Sequence, residues 1–316
     1  MKITLILTGG TIGSVETHNV KDVNVPETIP LLVTNFNKKN REEDFEILNP
    51  LNILSENIVV QDWNILLDCI KNINLENCKG IIITHGTDTL AYTCALIAVA
   101  MQGIEIPVVL VSSQFPLQDE GANGNENFQN AVEIINARMC GVYTVYRNDD
   151  RVSYVHEGEK LLQCGNYSNN FYSETMLPIE KKIDFKRKDR ILEKIGELKN
   201  DVLLIEPYVG IDYNTFNIKG KKAVLHGSYH SSTACTAEGS ILEFIDKCHK
   251  EGVLFFLSPF QGELLGKDAQ YISTKKILDK GAIPVPNLTK EHVYAKILIG
   301  ISMCKDKERI KGFVLN

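Results

Sequence analysis

A threonine follows a pair of glycines directly after the first apolar run of the chain. Residues 3–8 read ITLILT and continue into Gly9-Gly10-Thr11. A short apolar run that ends at glycines predicts a buried strand, and glycines at a strand end let a ligand approach peptide N–H groups closely. Thr11 would then lie at the carboxyl end of a strand, placed to act as a nucleophile or a hydrogen-bond donor. A strand-to-loop turn with no chemical role explains the same spacing equally well.

A second threonine and an aspartate follow another predicted strand. Residues 79–84 read KGIIIT and continue into HGTD, which ends in Thr87 and Asp88. Either residue is in position to cap a helix predicted over 88–102, which is a purely structural role. In a ligand crevice, the Asp88 carboxylate could instead accept hydrogen bonds from an α-ammonium group. The Thr87 hydroxyl and the helix N–H groups could hold a carboxylate.

A third predicted strand, 107–113, also ends in polar residues. It finishes with Ser112 and Ser113 and continues into Gln114. Because the carboxyl ends of parallel strands meet at one edge of a sheet, the three strand ends are expected to converge there. The sequence therefore predicts one pocket, about the size of an amino acid, at this edge.

The histidines point to structural roles. His85 is interpreted as a residue that fixes its loop, since the threonine and aspartate after it already occupy the positions for chemistry. His226 and His230 are spaced as on a helix, yet Gly227 and Ser228 between them predict a loop, which disfavours zinc binding.

The elements that must position these residues alternate as in α/β proteins. Short apolar runs are separated by segments whose apolar residues fall on one helical stripe, which is typical of strands joined by helical crossovers. The predicted strands are 3–8, 79–84, 107–113 and 140–147, and the predicted helices are 61–72, 88–102 and 125–138. We expect a doubly wound, mainly parallel sheet.

The composition changes in the polar stretch 174–200, which contains KKIDFKRKDR at 181–190. We predict an N-terminal α/β domain over 1–180, a solvated linker over 181–200 and a smaller C-terminal α/β domain over 201–316. In the C-terminal domain, strands are expected at 202–206, 222–227 and 253–258, and helices near 237–250, 272–280 and 289–303.

The net charge and the spacing of the cysteines indicate which class of ligand the protein binds and in which cellular compartment it is expected. Lys and Arg number 34 against 40 Asp and Glu, a formal net charge of −6 over 316 residues, which favours a small-molecule ligand over a nucleic acid or an anionic membrane. No stretch approaches about 18 consecutive apolar residues, so no membrane span is expected. The eight cysteines form no C-x-x-C pair. They are typical of buried reduced thiols and predict a cytoplasmic location.

Three motifs together resemble a known family. TGGTIG at 8–13, THGTDTL at 84–90 and SSQFPL at 112–117 are similar to the two-domain bacterial-type L-asparaginases, most nearly the cytoplasmic (type I) branch. The weaker matches LLIEPYVGID, SPFQGELL and NLTKEHVYAKI extend the resemblance over nearly the whole chain. The resemblance implies hydrolysis of the side-chain amide of L-asparagine through an acyl-threonine intermediate. It also implies no metal or organic cofactor, and assembly into a homodimer or homotetramer.

The resemblance also assigns roles to residues. It implies that Thr11 is the nucleophile and that Thr87 with Asp88 forms the second part of the catalytic group. The substrate-binding residues that it implies are Gly10, Ser55, Gly86 and Ser113.

The chain departs from the family pattern at four places. The segment Asn24-Val25-Pro26 lacks the family's tyrosine, Leu54 replaces an aspartate, and Asn123 replaces another. The family's lysine partner of the threonine–aspartate group falls on Leu162 or Gln163 by counting, and the nearest lysine is Lys160. An insertion or deletion could bring Lys160 to Asp88, and both outcomes stay open.

Three alternatives follow from these departures and from the family's breadth. One is an impaired paralogue that binds an amino acid without turnover, and another is an amidase for a different amide. The third is the transfer-RNA amidotransferase subunit that shares this domain. It is disfavoured by the charge balance and because the GGTI motif begins at residue 9, which leaves no room for that family's extra N-terminal domain.

Overall fold

The computed structural model describes residues 1–17, 20–23, 25–39, 43–174, 176–178, 189–237, 240–262 and 271–316. The chain divides into two compact units, Met1–Lys194 and Ile195–Asn316. The division falls within the predicted linker 181–200, of which residues 181–188 lie outside the described part. The linker therefore stays a prediction.

The first unit is built on a mainly parallel sheet. Its strands are β1 (Lys2–Leu7), β2 (Ser14–Thr17), β3 (Val20–Val23), β4 (Phe45–Leu48), β5 (Cys78–Thr84), β6 (Pro107–Val111), β7 (Gly141–Arg147), β8 (Ser153–Glu157) and β9 (Leu177–Pro178). Seven of them form one sheet in the order β4-β1-β5-β6-β7-β8-β9, while β2 and β3 pair separately as a hairpin. The strands from β4 to β7 in that order run parallel, and β8 and β9 extend the edge antiparallel.

Helices cover both faces of this sheet. They are α1 (Val25–Lys39), α2 (Val60–Lys71), α3 (Leu90–Ala100) and α4 (Gly124–Asn136). Phe36 of α1 and Phe128 of α4 belong to one core cluster with Tyr143 and Val145 of β7. Thr144 of β7 points to the other face of the sheet, where its Oγ1 lies 3.1 Å from Cys94 Sγ of α3. The predicted doubly wound α/β class is confirmed.

The second unit is a smaller α/β unit with its own core. Its strands β10 (Val202–Ile205), β11 (Ala223–His226), β12 (Leu254–Phe260) and β13 (Ile283–Pro286) form a parallel sheet in chain order. Its helices are α5 (Ile241–Lys250), α6 (Ile272–Asp279), α7 (Lys290–Met303) and α8 (Lys307–Leu315). Within the described ranges, no helix of either unit is both long and apolar enough to cross a bilayer.

Candidate active site

The ends of strands β1 and β5 are in direct backbone contact. Gly9 and Gly10 adopt φ of 107° and 76°, a region that glycine enters without steric cost. A Cβ on Gly10 would lie only 2.2 Å from the Gly86 nitrogen. Thr11 and Thr87 are the next residues after these two glycines, so the predicted convergence of the two strand ends is present in the backbone.

Hydrogen bonds hold the Thr11 turn against its neighbours. Gly10 N–H donates to the Ile53 carbonyl at 3.0 Å, and Ser14 Oγ donates to the Gly10 carbonyl at 2.9 Å. Thr11 itself begins a short 3-10 turn, Thr11–Gly13, and is half-buried. The threonine hydroxyl is thus carried by a turn that its neighbours fix from both sides.

Ser55 holds the start of helix α3. Its hydroxyl accepts a hydrogen bond from Asp88 N–H at 3.3 Å and donates one to Asp88 Oδ2 at 3.4 Å, while the Thr89 hydroxyl donates to the Ser55 carbonyl at 2.9 Å. Ser55 is only 4% exposed, whereas Asp88 is exposed. A Cβ on Gly86 would lie 2.3 Å from Ser55 Oγ, so this arrangement requires glycine there. Ser55 therefore contacts Asp88, and its role as a substrate contact stays a prediction.

The third strand end, after β6, is fixed by side-chain amides. Ser113 is fully buried, and its hydroxyl donates to the Phe115 carbonyl at 2.5 Å. Asn123 accepts a hydrogen bond from Gln114 N–H at 2.8 Å and donates one to the Arg147 carbonyl at 2.8 Å. The asparagine that replaces the family's aspartate therefore ties this loop to β7. The substrate-binding role of Ser113 stays a prediction, and its hydroxyl already donates to the Phe115 carbonyl.

A pocket of about 360 Å³ opens beside Thr87 and Asp88. Most of its other lining residues are polar but uncharged, and most come from the two segments that follow β6 and β8. These are Gln114, Tyr146, Gln163, Cys164, Gly165, Asn166, Ser168, Asn169 and Phe171. Asp88 is the one carboxylate among the described lining residues, and Thr11 does not line the pocket. No periodic pattern marks the segment 164–171, so the sequence does not predict it as a pocket wall.

Gln163, and not Lys160, lies beside Asp88. The Gln163 amide donates a hydrogen bond to the Asp88 carbonyl. The Lys160 ammonium instead lies 3.1 Å from Glu157 Oε2 and 4.0 Å from Glu174 Oε2. Among the described ion pairs, none involves Asp88. The segment Asn24-Val25-Pro26, where the family's tyrosine is missing, contains Asn24, which lies outside the described residues.

The titratable neighbours of Asp88 are held neutral. Burial lowers the pKa of His85 to about 4, although the Gly86 carbonyl, which accepts from its Nδ1 at 2.8 Å, and the Asp88 carboxylate both act to raise it. Burial also raises the pKa of the Cys164 thiol, as do the carboxylates of Asp88 and Asp149. Among the described side chains that line this pocket, the Asp88 carboxylate is therefore the one available to accept a proton or to bind a cation.

The described residues contain no cluster of three or more metal-binding side chains. His226 has both ring nitrogens engaged, Nε2 with the Tyr213 hydroxyl at 2.9 Å and Nδ1 with the Gly227 carbonyl at 2.5 Å. A ring with both nitrogens hydrogen-bonded has no lone pair free for zinc.

The N-terminal unit matches a family model. Residues 2–184 match the model described as "Asparaginase, N-terminal". The chain belongs to the asparaginase family. The resemblance inferred from TGGTIG, THGTDTL and SSQFPL is thereby confirmed at the level of the family.

Curated asparaginase-family relatives match this chain over almost its whole length. A glutamyl-tRNA(Gln) amidotransferase subunit of Methanococcus vannielii is 27% identical, over 98% of this chain and 76% of its own length. The corresponding protein of Saccharolobus islandicus is 26% identical, over 100% of this chain and 74% of its own length. The amidotransferase alternative, which the sequence analysis disfavours, thus has members among the relatives of this chain.

Solved asparaginases share the fold. "The thermostable L-asparaginase from Thermococcus kodakarensis" superimposes with a TM-score of 0.78 at 22% identity, covering 99% of this chain and 97% of that one. L-asparaginase I from Vibrio cholerae gives a TM-score of 0.72 at 22% identity, covering 99% and 96%. At these identities the likeness establishes the architecture of an asparaginase-family protein.

Proposed function

We propose that this asparaginase-family protein is an amidohydrolase that converts L-asparagine to aspartate and ammonia. The observation that carries the proposal is the contact between Gly10 and Gly86. These two glycines immediately precede Thr11 and Thr87 in the chain. The 360 Å³ pocket beside Thr87 and Asp88 is large enough for an amino acid, and its carboxylate suits the α-ammonium group of one.

In the proposed reaction, Thr11 Oγ1 forms a bond with the side-chain amide carbon of the substrate. The hydroxyl proton passes to a base, for which the Asp88 carboxylate is the candidate in this pocket. Peptide N–H groups of the glycine turns stabilise the negative oxygen of the tetrahedral intermediate. The carbon–nitrogen bond then breaks, the nitrogen takes up a proton and leaves as ammonia, and water hydrolyses the acyl-threonine ester to aspartate.

Replacing Thr11 with valine tests the nucleophile. Because valine keeps the volume of threonine and removes its hydroxyl, ammonia release from L-asparagine is expected to fall at least about 10³-fold in Thr11→Val. Thr11→Ser keeps a hydroxyl and should retain measurable activity. The matched control is Thr34→Val on the exposed side of α1, which should stay within about twofold of the wild type. Wild-type rates in Thr11→Val would contradict the assignment.

A second candidate function is the amide-hydrolysing subunit of a glutamyl-tRNA(Gln) amidotransferase, and the names of the curated relatives favour it. The same assay with L-glutamine, with and without glutamyl-tRNA(Gln), separates the two candidates. Ammonia from free asparagine without tRNA supports the asparaginase, whereas release that depends on tRNA supports the amidotransferase. Binding of aspartate with no ammonia under either condition would favour the impaired paralogue.

We also propose a cytoplasmic homodimer or homotetramer as the working form. Light scattering coupled to size exclusion measures the assembly directly. A monomer under assay conditions that releases ammonia at full rate would contradict the proposed assembly.

A further inference from the structure

Tyr167 lies at the tip of a strained turn in the pocket wall. Ser168 N–H donates to the Gly165 carbonyl at 3.3 Å, which closes a four-residue turn with Asn166 and Tyr167 at its centre. Tyr167 has φ of +62° at the third position of this turn. That position with positive φ normally holds Gly or Asn, because any Cβ there lies close to a backbone carbonyl oxygen, and glycine has no Cβ while asparagine offsets the cost by local hydrogen bonds.

The base of the turn is firmly held while its tip is open. The Cys164 thiol donates to the Ser168 carbonyl at 2.8 Å, and Asn148 exchanges two hydrogen bonds of 3.0 Å with the backbone of Phe171. A Cβ on Gly165 would meet no atom within 4 Å. The strained conformation is therefore imposed by a fixed frame, while the space beside Gly165 is open and the Tyr167 side chain is fully exposed.

Within the described structure, no burial or hydrogen bond of the Tyr167 side chain offsets the backbone strain at this residue. The side chain is fully exposed, so it gains no burial, and none of the described hydrogen bonds involves its phenol. Five non-glycine residues of the described ranges have positive φ, and Tyr167 is the aromatic one among them. A strained, exposed aromatic residue is retained at a cost, and such outliers concentrate at ligand sites.

The neighbours of Tyr167 show where its ring can act. Asn166 and Ser168, on either side of it in the chain, both line the pocket beside Thr87 and Asp88. We propose that Tyr167 is a substrate-contacting residue whose ring turns over the mouth of this pocket when an amino-acid amide is bound. The ring covers the ammonium group and the aliphatic carbons of the ligand and keeps water out. This inference rests on the proposed function.

The test is the substitution Tyr167→Asn, because asparagine tolerates positive φ but has no aromatic ring. The KM for L-asparagine should rise roughly tenfold, as expected for the loss of an aromatic contact with a cation. The melting temperature should stay level or rise by about 2 °C, since the strain is relieved. Tyr167→Phe should keep most of the affinity, because it keeps the ring.

The matched control is Tyr172→Asn. Neither tyrosine lines the pocket in this structure, but Tyr167 has lining residues on both sides in the chain, whereas Tyr172 has one on one side only and no positive φ. Tyr172 is half-exposed on the same segment, and its replacement should leave KM within about twofold and should not raise the melting temperature. If the wild type releases ammonia and Tyr167→Asn keeps the wild-type KM, the role of Tyr167 is refuted and the proposed function stands.

If the wild type releases no ammonia, the proposed function fails, and calorimetry with aspartate then tests Tyr167 separately. A roughly tenfold weaker Kd in Tyr167→Asn supports the contact. An unchanged Kd, or no binding of aspartate to the wild type at millimolar concentration, overturns it.

Discussion

At the scale of single residues, the site depends on how Asp88 is held. Its backbone N–H and its carboxylate both bond to the buried Ser55 hydroxyl, and its carbonyl accepts from Gln163. Three contacts therefore fix the residue that is exposed to the pocket. Geometry of this kind limits the rotamers that the carboxylate can adopt, which is what a proton acceptor or an ammonium contact needs.

Ser55→Ala should lower kcat/KM for L-asparagine about tenfold, because Asp88 loses its hydroxyl partner, and it should cost about 1 kcal/mol of unfolding free energy. Ser240→Ala is the control, since Ser240 is a similarly buried serine that caps α5 in the other unit. It should lose comparable stability with unchanged kinetics. A rise in KM at constant kcat in Ser55→Ala would instead make Ser55 the substrate contact that the sequence predicts.

The sequence predicts that Thr11, Thr87 and Asp88 meet, because each follows a buried strand and the carboxyl ends of parallel strands lie at one edge of a sheet. The structure brings the preceding glycines Gly10 and Gly86 together, and the meeting of the three side chains in one pocket stays a prediction.

Counting along the family pattern puts Leu162 or Gln163 at the position of the partner of Asp88, and the structure selects Gln163 over Leu162 and over Lys160. The path of the segment that follows Gln163 is set by tertiary hydrogen bonds, such as the pairing of Asn148 with Phe171, and no periodic pattern records these.

At the scale of elements, the start of helix α4 shows how closely a helix is fitted to the site. A Cβ on Gly124 would lie 2.7 Å from Leu117 Cδ2 and 2.8 Å from the Ser113 side chain. Ser113 lies at the strand end that leads into Gln114, which lines the pocket. The glycine therefore lets the helix approach the loop that forms one wall.

Gly124→Ala should destabilise the protein by about 1–3 kcal/mol, because the added methyl group overpacks this contact. Gly312→Ala in α8 is the control, since a Cβ there meets no atom within 4 Å. That substitution should instead stabilise by up to about 1 kcal/mol, from helix propensity alone. Urea unfolding measures the free energy of unfolding of both variants. If Gly124→Ala stabilised the protein as Gly312→Ala is expected to, the packing at Gly124 would be unimportant.

The long buried elements are predictable and several short ones are not. Strands such as β5 and β6 are continuous apolar runs buried on both faces, which sequence patterns identify well. The sequence pattern does not predict the four-residue edge strand β4, which is largely exposed, or β13, which contains two prolines. The same holds for α1, whose sequence contains two prolines and weak helix formers such as threonine and asparagine.

At the scale of the whole molecule, three buried neutral histidines link stability to pH. They are His85 and His156 in the first unit and His226 in the second, and burial lowers the pKa of each to about 4. An unfolded histidine binds a proton below about pH 6.5. Between those two values the unfolded chain holds more protons than the folded chain, so stability falls as the pH falls.

The free energy of unfolding should therefore be nearly level above about pH 6.5 and decrease down to about pH 4, with each histidine contributing up to about 3 kcal/mol. Urea titrations at about pH 7, 5.5 and 4 measure this decrease. His156→Gln should reduce its slope, whereas His249→Gln, at an exposed position, should leave it unchanged. The same slope in both variants would mean that His156 is not a source of the pH dependence.

The antiparallel pairing of β8 with β9 leaves the segment between them free to change in length and composition. The chain leaves the sheet after β8 and returns to the same edge at β9, with Tyr154 opposite Pro178, and the stretch in between supplies most of the pocket lining. Because the segment between β8 and β9 starts and ends at the same edge of the sheet, its length and composition can change without moving β1 or β5. The pocket lining of this chain can therefore be altered while the two threonine turns keep their geometry.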